Sequence, residues 1–312
     1  MDMSSPLLEL DGAVAGNGVD AAVAAHYGSF NGEQRILESG EGFVDLSHHD
    51  VLRIEGPDRL TWLHDLTTQH LRDLEPGVET QALILSPQGH VEHEFRGHDD
   101  GTALTVWTEP GASAALVEFL ERMKFMSRVE ITDVTPELAL TWRPSTGHRL
   151  IPRADLTTYA AATEPPAGLW AYEALRIARG EARFGVDTDH RTIPNEAGWI
   201  GSAVHLDKGC YRGQETVARV HTLGRPPRRL TLLHLDGSEN RLPETGAEVL
   251  LGEKAIGFVG SAARHHELGP IALALLKRNT PLDAELMVDG VAAAQEVIVD
   301  PEVGLHVRPK LR

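Results

Sequence analysis

The segment Lys208-Gly209-Cys210-Tyr211-Arg212-Gly213-Gln214-Glu215 holds the only cysteine of the chain, flanked by glycines and by two cations. Lys208 and Arg212, if they converge on the sulfur, would favour a thiolate by Coulomb attraction, so Cys210 is a candidate reactive or ligand-sensing group. The same residue fits the ordinary use of a free cysteine as a small buried apolar group. One sulfur rules out an internal disulfide and any metal or iron–sulfur site built from several cysteines of one chain.

Three further features carry potential chemistry. Glu196 lies in Ile193-Pro194-Asn195-Glu196-Ala197-Gly198-Trp199, inside a long irregular stretch from 181 to 201, and compact domains usually retain such stretches for binding. From Lys208 to Arg229 the chain carries Lys208, Arg212, Arg219, Arg225, Arg228 and Arg229 against the single carboxylate Glu215. An anionic ligand would explain that cluster, and solvated helix faces would explain each arginine singly. In His90-Val91-Glu92-His93-Glu94-Phe95, strand alternation puts His93 with Val91 and Phe95 on the inward side and Glu94 outward, and either His93 or Glu94 is a candidate proton acceptor. The alternation separates His90 from His93 and argues against a shared metal, while His48-His49 and His265-His266 read as surface pairs.

The elements that must position these groups follow from periodicity. Val51 to Glu55 alternates as a strand, and Gly56-Pro57-Asp58 opens a helix bearing Leu60, Leu63 and Leu66. Ser86-Pro87-Gln88-Gly89 is a turn between two strands, with a third from Ala103 to Thr108, a meander. Helices are expected around Leu116–Met123, over Leu169–Arg179, where Ala171, Ala174, Leu175 and Ala178 share a face, and from Gly213 onward. Past Pro226-Pro227 short alternating segments and the Asp289-Gly290 turn point to a small β-barrel. The expected organisation is a flexible arm over 1–24, an α+β region over 25–226, and an all-β domain over 227–312.

Lys-Gly-Cys-Tyr-x-Gly-Gln-Glu at 208–215 resembles the motif of the YgfZ family, folate-binding relatives of the glycine cleavage T-protein (an aminomethyltransferase) associated with iron–sulfur enzymes. Gly56-Pro57-Asp58-Arg59, Trp62-Leu63, Thr67-Thr68-Gln69 and Ser86-Pro87-Gln88-Gly89 are similar to the family's early strand, helix and hairpin, and the loop around Glu196 to its Pro-x-Glu-x-Gly loop. The resemblance implies a T-protein-like folate-binding fold, with two interleaved α+β subdomains over 25–226 and a C-terminal barrel, tetrahydrofolate or another reduced folate as cofactor, and iron–sulfur client or assembly proteins as partners. It also implies Glu196 as the group holding the pterin, whose adjacent amino and ring N–H donors suit a carboxylate. Arg225, Arg228 and Arg229 then become candidates for the anionic tail, Lys208 and Arg212 further cofactor-binding candidates, and Trp199 and Tyr211 candidates for stacking on the flat rings. Where T-protein aminomethyltransferases carry adjacent aspartates after the hairpin glycine, this chain has His93 and Glu94, which puts carry-over of aminomethyl transfer in doubt. Three functions stay open: support of iron–sulfur proteins, a folate-dependent one-carbon transferase or demethylase, and a non-catalytic docking module.

Composition excludes other classes. The formal net charge is −17, which repels phosphate backbones and argues against nucleic-acid binding. The longest apolar run, Ile271 to Leu276, is far short of the roughly 20 residues that cross a bilayer. The first twenty residues carry no Lys or Arg, unlike a secretory signal, so a cytoplasmic location is expected.

Overall fold

A computed structural model describes residues 3–163, 165–239 and 241–305. The chain forms two compact units: the first comprises the described residues up to His64 with Leu71–Gln81 and Phe95–Glu173, the second Asp65–His70, Ala82–Glu94 and the described residues from Ala174 on. The fold is α+β with a closed barrel.

The expected meander is present as strands Glu79–Leu85, Val91–Asp99 and Ala103–Thr108, which lie side by side in a five-stranded sheet completed by Asp50–Glu55 and Glu130–Asp133. Pro57 and Asp58 precede the helix Arg59–Leu66, whose Trp62 and Leu63 are buried. Arg59 at its start donates from Nε and Nη2 to the two oxygens of Asp99, both at 2.7 Å, a bidentate pair that ties the helix to the end of a strand. A second sheet runs in the order Gly147–Pro152, Leu138–Arg143, Phe43–Asp45, Pro166–Ala167.

The region from Arg228 onward is a six-stranded barrel in the order Arg228–Leu235, Gly269–Lys277, Lys254–His265, Glu248–Leu251, Leu286–Val288, Val291–Val297, closed by pairing of the last strand with the first. Period-two alternation divides the first strand between two cores. Leu233 and Leu235 join Val249, Val259, Leu276 and Leu286 in one, whereas Leu230 and Leu232 meet Trp199, Val217, Ile271 and Leu85 in the other. Asp289 and Gly290, with φ of 49° and 78°, form the tight turn that the sequence predicts.

Three expectations are corrected. The stretch before residue 25, read as a flexible arm, carries two short 3-10 turns and a paired strand, because Leu7 is buried against Phe43, Ala139 and Leu156 and the Ser5 hydroxyl donates to Asp45. Glu94 is buried beside Phe95 instead of facing out with Glu92, and His93 is half-buried; alternation separates polar from apolar faces only where one face meets water. His48 and His265 are buried, not surface groups: His48 Nε2 lies 3.2 Å from Asp20, and His265 Nδ1 accepts from the backbone N–H groups of Glu267 and Leu268. The helices Phe30–Glu38 and Leu156–Thr163 had no assignment from periodicity.

Candidate functional site

The helix Leu169–Ala178 ends at Gly180, and the loop that follows is held by charge instead of apolar periodicity. Asp187, almost fully buried, accepts from Arg176 Nη1 at 2.9 Å, from the backbone N–H groups of Arg183 at 2.8 Å and Ser261 at 2.7 Å, and from Ser261 Oγ at 3.1 Å. Arg176 Nη2 in turn donates to Ser261 Oγ. The loop is thereby fastened to the barrel strand Lys254–His265 within the second unit.

Further along, Thr192, Asp189 and Glu196 surround Arg228, the first residue of the barrel. Arg228 donates from Nη1 and Nη2 to Asp189 at 2.7 and 3.0 Å, and from Nε and Nη2 to Glu196 at 3.0 and 2.9 Å. Glu196, whose side chain is 1% exposed, also accepts from the backbone N–H groups of Ile193 and Arg228. Both of its oxygens are therefore engaged. Burial pushes the Asp189 carboxyl up, but the hydrogen bonds from Arg228 and Thr192 and the charge of Arg228 outweigh this and hold it well below the usual carboxylate range.

The sign of the resulting pH dependence follows. A carboxyl depressed on folding adds stability that is complete above its unfolded value of about 3.9 and is lost as the pH falls towards the folded value. Asp189→Asn should therefore flatten the acid limb of the stability curve below about pH 4 while leaving the slope above it unchanged. Urea denaturation at a series of pH values checks this, and parallel acid limbs for variant and parent would disprove it.

A cavity of about 720 Å³ opens beside this cluster, lined by Gln88 and His90 of the hairpin, Asp189, Arg191, Ile193 and Glu196 of the loop, Thr216, Arg219 and Val220 of the helix Gln214–Leu223, and Pro227, Arg228 and Lys277. Four cations thus face it against two carboxylates, and both carboxylates are bound to Arg228. The wall retains a positive excess suited to an anionic ligand.

The hairpin and the cysteine segment are interlocked. Gly213 has φ of +81°, and a Cβ there would lie 2.4 Å from the Ser86 carbonyl oxygen and 3.0 Å from Gly89 Cα; at Gly89, with φ of +85°, it would lie 2.7 Å from Thr216 Cβ. Only glycine fits both places. The two motifs singled out in sequence thus meet in space.

Of the other candidates, Cys210 is exposed. The cations expected around it turn elsewhere: Lys208 Nζ donates to the Thr67 carbonyl at 2.5 Å and sits 4.8 Å from the centre of the Tyr211 ring, and Arg212 donates to Glu92 at 2.8 Å. Burial pushes the Tyr211 phenol up to about 12. Trp199 belongs to the apolar core. Arg225 is exposed and pairs with Glu302 at 3.4 Å, while Arg229 is fully buried, donating to Thr231, Thr280 and Gln295. Among the residues picked out as site candidates, Glu196 and Arg228 line the cavity. Asp189, Arg191 and Lys277 were not picked out; the charged run Asp187-Thr188-Asp189-His190-Arg191 was the available signal for the first two, and Lys277 had none beyond ending an apolar run.

The architecture has a counterpart among solved structures. It is the fold of glycine cleavage system aminomethyltransferase T, whose crystal structure from Bartonella henselae matches with a TM-score of 0.80 over 95% of this chain and 96% of that one, at 17% identity. In sequence the chain is similar to a chloroplastic protein of Arabidopsis thaliana named as a transferase (25% identity over 75% of this chain) and to the aminomethyltransferase of Nostoc sp. (25% identity, 81% of this chain and 83% of the relative). It is also similar to a mitochondrial homologue of the iron–sulfur cluster assembly factor IBA57 from Mycosarcoma maydis, at 25% identity over 60% of this chain and 55% of the relative. The match spans 65% of the length of the Arabidopsis protein. No protein-family model matches the chain. No helix among the described residues is long and apolar enough to cross a membrane.

Proposed function

We propose that this protein binds a reduced folate, tetrahydrofolate or a close relative, and acts in the cytoplasm to support iron–sulfur cluster assembly or repair in client enzymes. The observation that carries the reading is the cation-rich cavity between the Ser86–Gly89 hairpin, the Glu196 loop and the helix following the cysteine segment. The motif at 208–215 resembles that of folate-binding YgfZ proteins, and the similarity to an iron–sulfur cluster assembly factor homologue supports the cellular role.

The residues present fit one end of a folate. Its glutamate carboxylates suit Arg191, Arg219 and Lys277, since charge-assisted bonds to cations are the strong ones. They do not fit a pterin held by Glu196, because Arg228 and two backbone N–H groups already occupy both oxygens. In this reading Glu196 positions Arg228, and Lys208 and Tyr211 brace the cysteine segment through Thr67. Cys210, exposed on that segment, is the thiol offered to a client.

Calorimetric titration with tetrahydrofolate tests the proposal, with an unrelated anionic cofactor as control. Arg219→Ala should weaken binding about tenfold, the low end for losing a bond to a charged group. Absence of binding by the parent protein, or equal binding of the control anion, would refute the folate reading. Cells lacking the protein should show reduced activity of iron–sulfur enzymes, restored by the parent gene; release of formaldehyde from a small amine in the presence of folate would favour a one-carbon transferase instead.

A further inference from the structure

An arginine is almost never fully buried unless a counter-charge is buried with it, because a charge taken out of water needs one. Elsewhere in this chain the guanidinium groups find carboxylates. Arg59, Arg128, Arg179 and Arg228 each present the edge formed by Nε and Nη2 to both oxygens of one carboxylate, those of Asp99, Asp58, Glu181 and Glu196 respectively. Arg229 differs. Its side chain is 0% exposed, yet its partners are all neutral: the Thr231 hydroxyl on Nη1, and the Thr280 carbonyl and the Gln295 side-chain oxygen on Nη2. The bond to Thr280 is long, at 3.4 Å, and Nε, sealed from solvent, has no partner among the described residues.

The strand puts the guanidinium there. Alternation along Arg228–Leu235 sends Arg229, Thr231, Leu233 and Leu235 to one face, and Leu233 and Leu235 belong to the barrel core. Gln295 stands opposite Leu233 on the closing strand, and its Nε2 donates to the Pro281 carbonyl at 2.7 Å, which turns the amide oxygen towards Arg229. Thr280 lies buried in the turn after the strand Gly269–Lys277; its carbonyl meets Nη2, and its hydroxyl, like Nε, is buried without a partner among the described residues. Two donors, one of them charged, therefore stand unpaired about one guanidinium at this end of the barrel interior. Burial pulls the Arg229 guanidinium below its usual range, and the charge of the exposed Asp300 offsets only part of this.

We propose that Arg229 and the Thr280 hydroxyl bind a small monovalent anion, of halide size, inside this end of the barrel. The anion supplies what the neutral partners cannot: a water molecule could take the two hydrogen bonds, but it could not balance the guanidinium. Arg228, one residue earlier on the same strand, is gripped by Asp189 and Glu196 at the cavity, so the anion fastens the strand that presents it. The inference does not depend on the folate reading.

The test follows thermal unfolding of the full chain as chloride replaces gluconate, a much larger anion, at constant ionic strength. Raising chloride from about 1 mM to about 300 mM should lift the midpoint of the parent by about 3 °C or more, the linkage expected of an ion that binds only the folded state. Arg229→Met should lose the dependence, and Thr280→Val, which keeps the charge, should need roughly tenfold more chloride for the same rise. In crystals soaked in bromide an anomalous peak should lie beside Arg229 Nε and Thr280 Oγ. An equal response of parent and variants to chloride, bromide at other positions only, or an ordered water where the peak is expected would each overturn the anion site. If Arg229→Met does not fold, Thr280→Val and the bromide peak decide the matter.

Discussion

Asp187→Ala is expected to destabilise the second unit by about 3–5 kcal/mol, the cost of leaving one partner of a buried ion pair without the other. The carboxylate accepts four hydrogen bonds, and its loss takes the counter-charge from the buried Arg176 guanidinium, itself 6% exposed and left with its bonds to Ser261 Oγ and the Glu181 carbonyl, and removes the acceptor of the backbone N–H groups of Arg183 and Ser261. Urea denaturation followed by tryptophan fluorescence reads the effect, since Trp199 sits in the core of the same unit. The midpoint should fall with little change in slope. Arg176→Met in the same chain should recover part of the loss, because replacing both members of a buried pair with apolar groups is far less costly than removing one. A single variant within about 1 kcal/mol of the parent would show that the loop is held by something other than this network.

Gly213→Val should cost about 2–4 kcal/mol, combining a left-handed backbone that disfavours side chains with overpacking against the hairpin. A Cβ at 213 meets backbone, the Ser86 oxygen and Gly89 Cα, which cannot swing aside as a flexible side chain could. The helix Gln214–Leu223 starts at this residue, and Thr216, Arg219 and Val220 of that helix line the cavity. Ligand binding should therefore weaken together with stability, and hydrogen exchange should quicken both in the hairpin and in the helix. Exchange confined to residues near 213, with the hairpin protected as before, would mean that the two motifs are merely adjacent.

Local signals made much of the fold legible. The alternation of Leu230 to Leu235, the turn at Asp289-Gly290 and the apolar stripe of Leu169–Ala178 each report geometry within a few residues, and each element is present. The N-terminal stretch was illegible because Leu7 is buried by residues more than thirty positions away. The site was legible in kind but not in detail. Its arginine cluster signals an anion, yet nothing in Arg225-Pro226-Pro227-Arg228-Arg229 distinguishes the three arginines. The fold does: the strand beginning at Arg228 turns consecutive residues to opposite faces, so Arg228 meets the loop carboxylates while Arg229 enters the barrel, and Arg225 lies before the strand in a left-handed turn. Glu196 stood out in its loop, but its partner lies 32 positions on, and no local pattern announces that its oxygens are taken. Lys208 likewise reaches a carbonyl 141 residues away instead of the neighbouring sulfur.

Closure of the six-stranded barrel leaves no rim on which a stray chain could zip itself, so partial unfolding has to begin elsewhere to become sticky. The five-stranded sheet does end in border strands: Glu130–Asp133 is four residues long and carries an acidic group at each end, and on Glu79–Leu85 the Thr68 backbone and hydroxyl bond the carbonyl and N–H of Leu83. Self-association of a destabilised variant that has lost the Thr68 bonds is therefore expected to recruit the border Glu79–Leu85, whose run Ala82-Leu83-Ile84-Leu85 is the more apolar of the two.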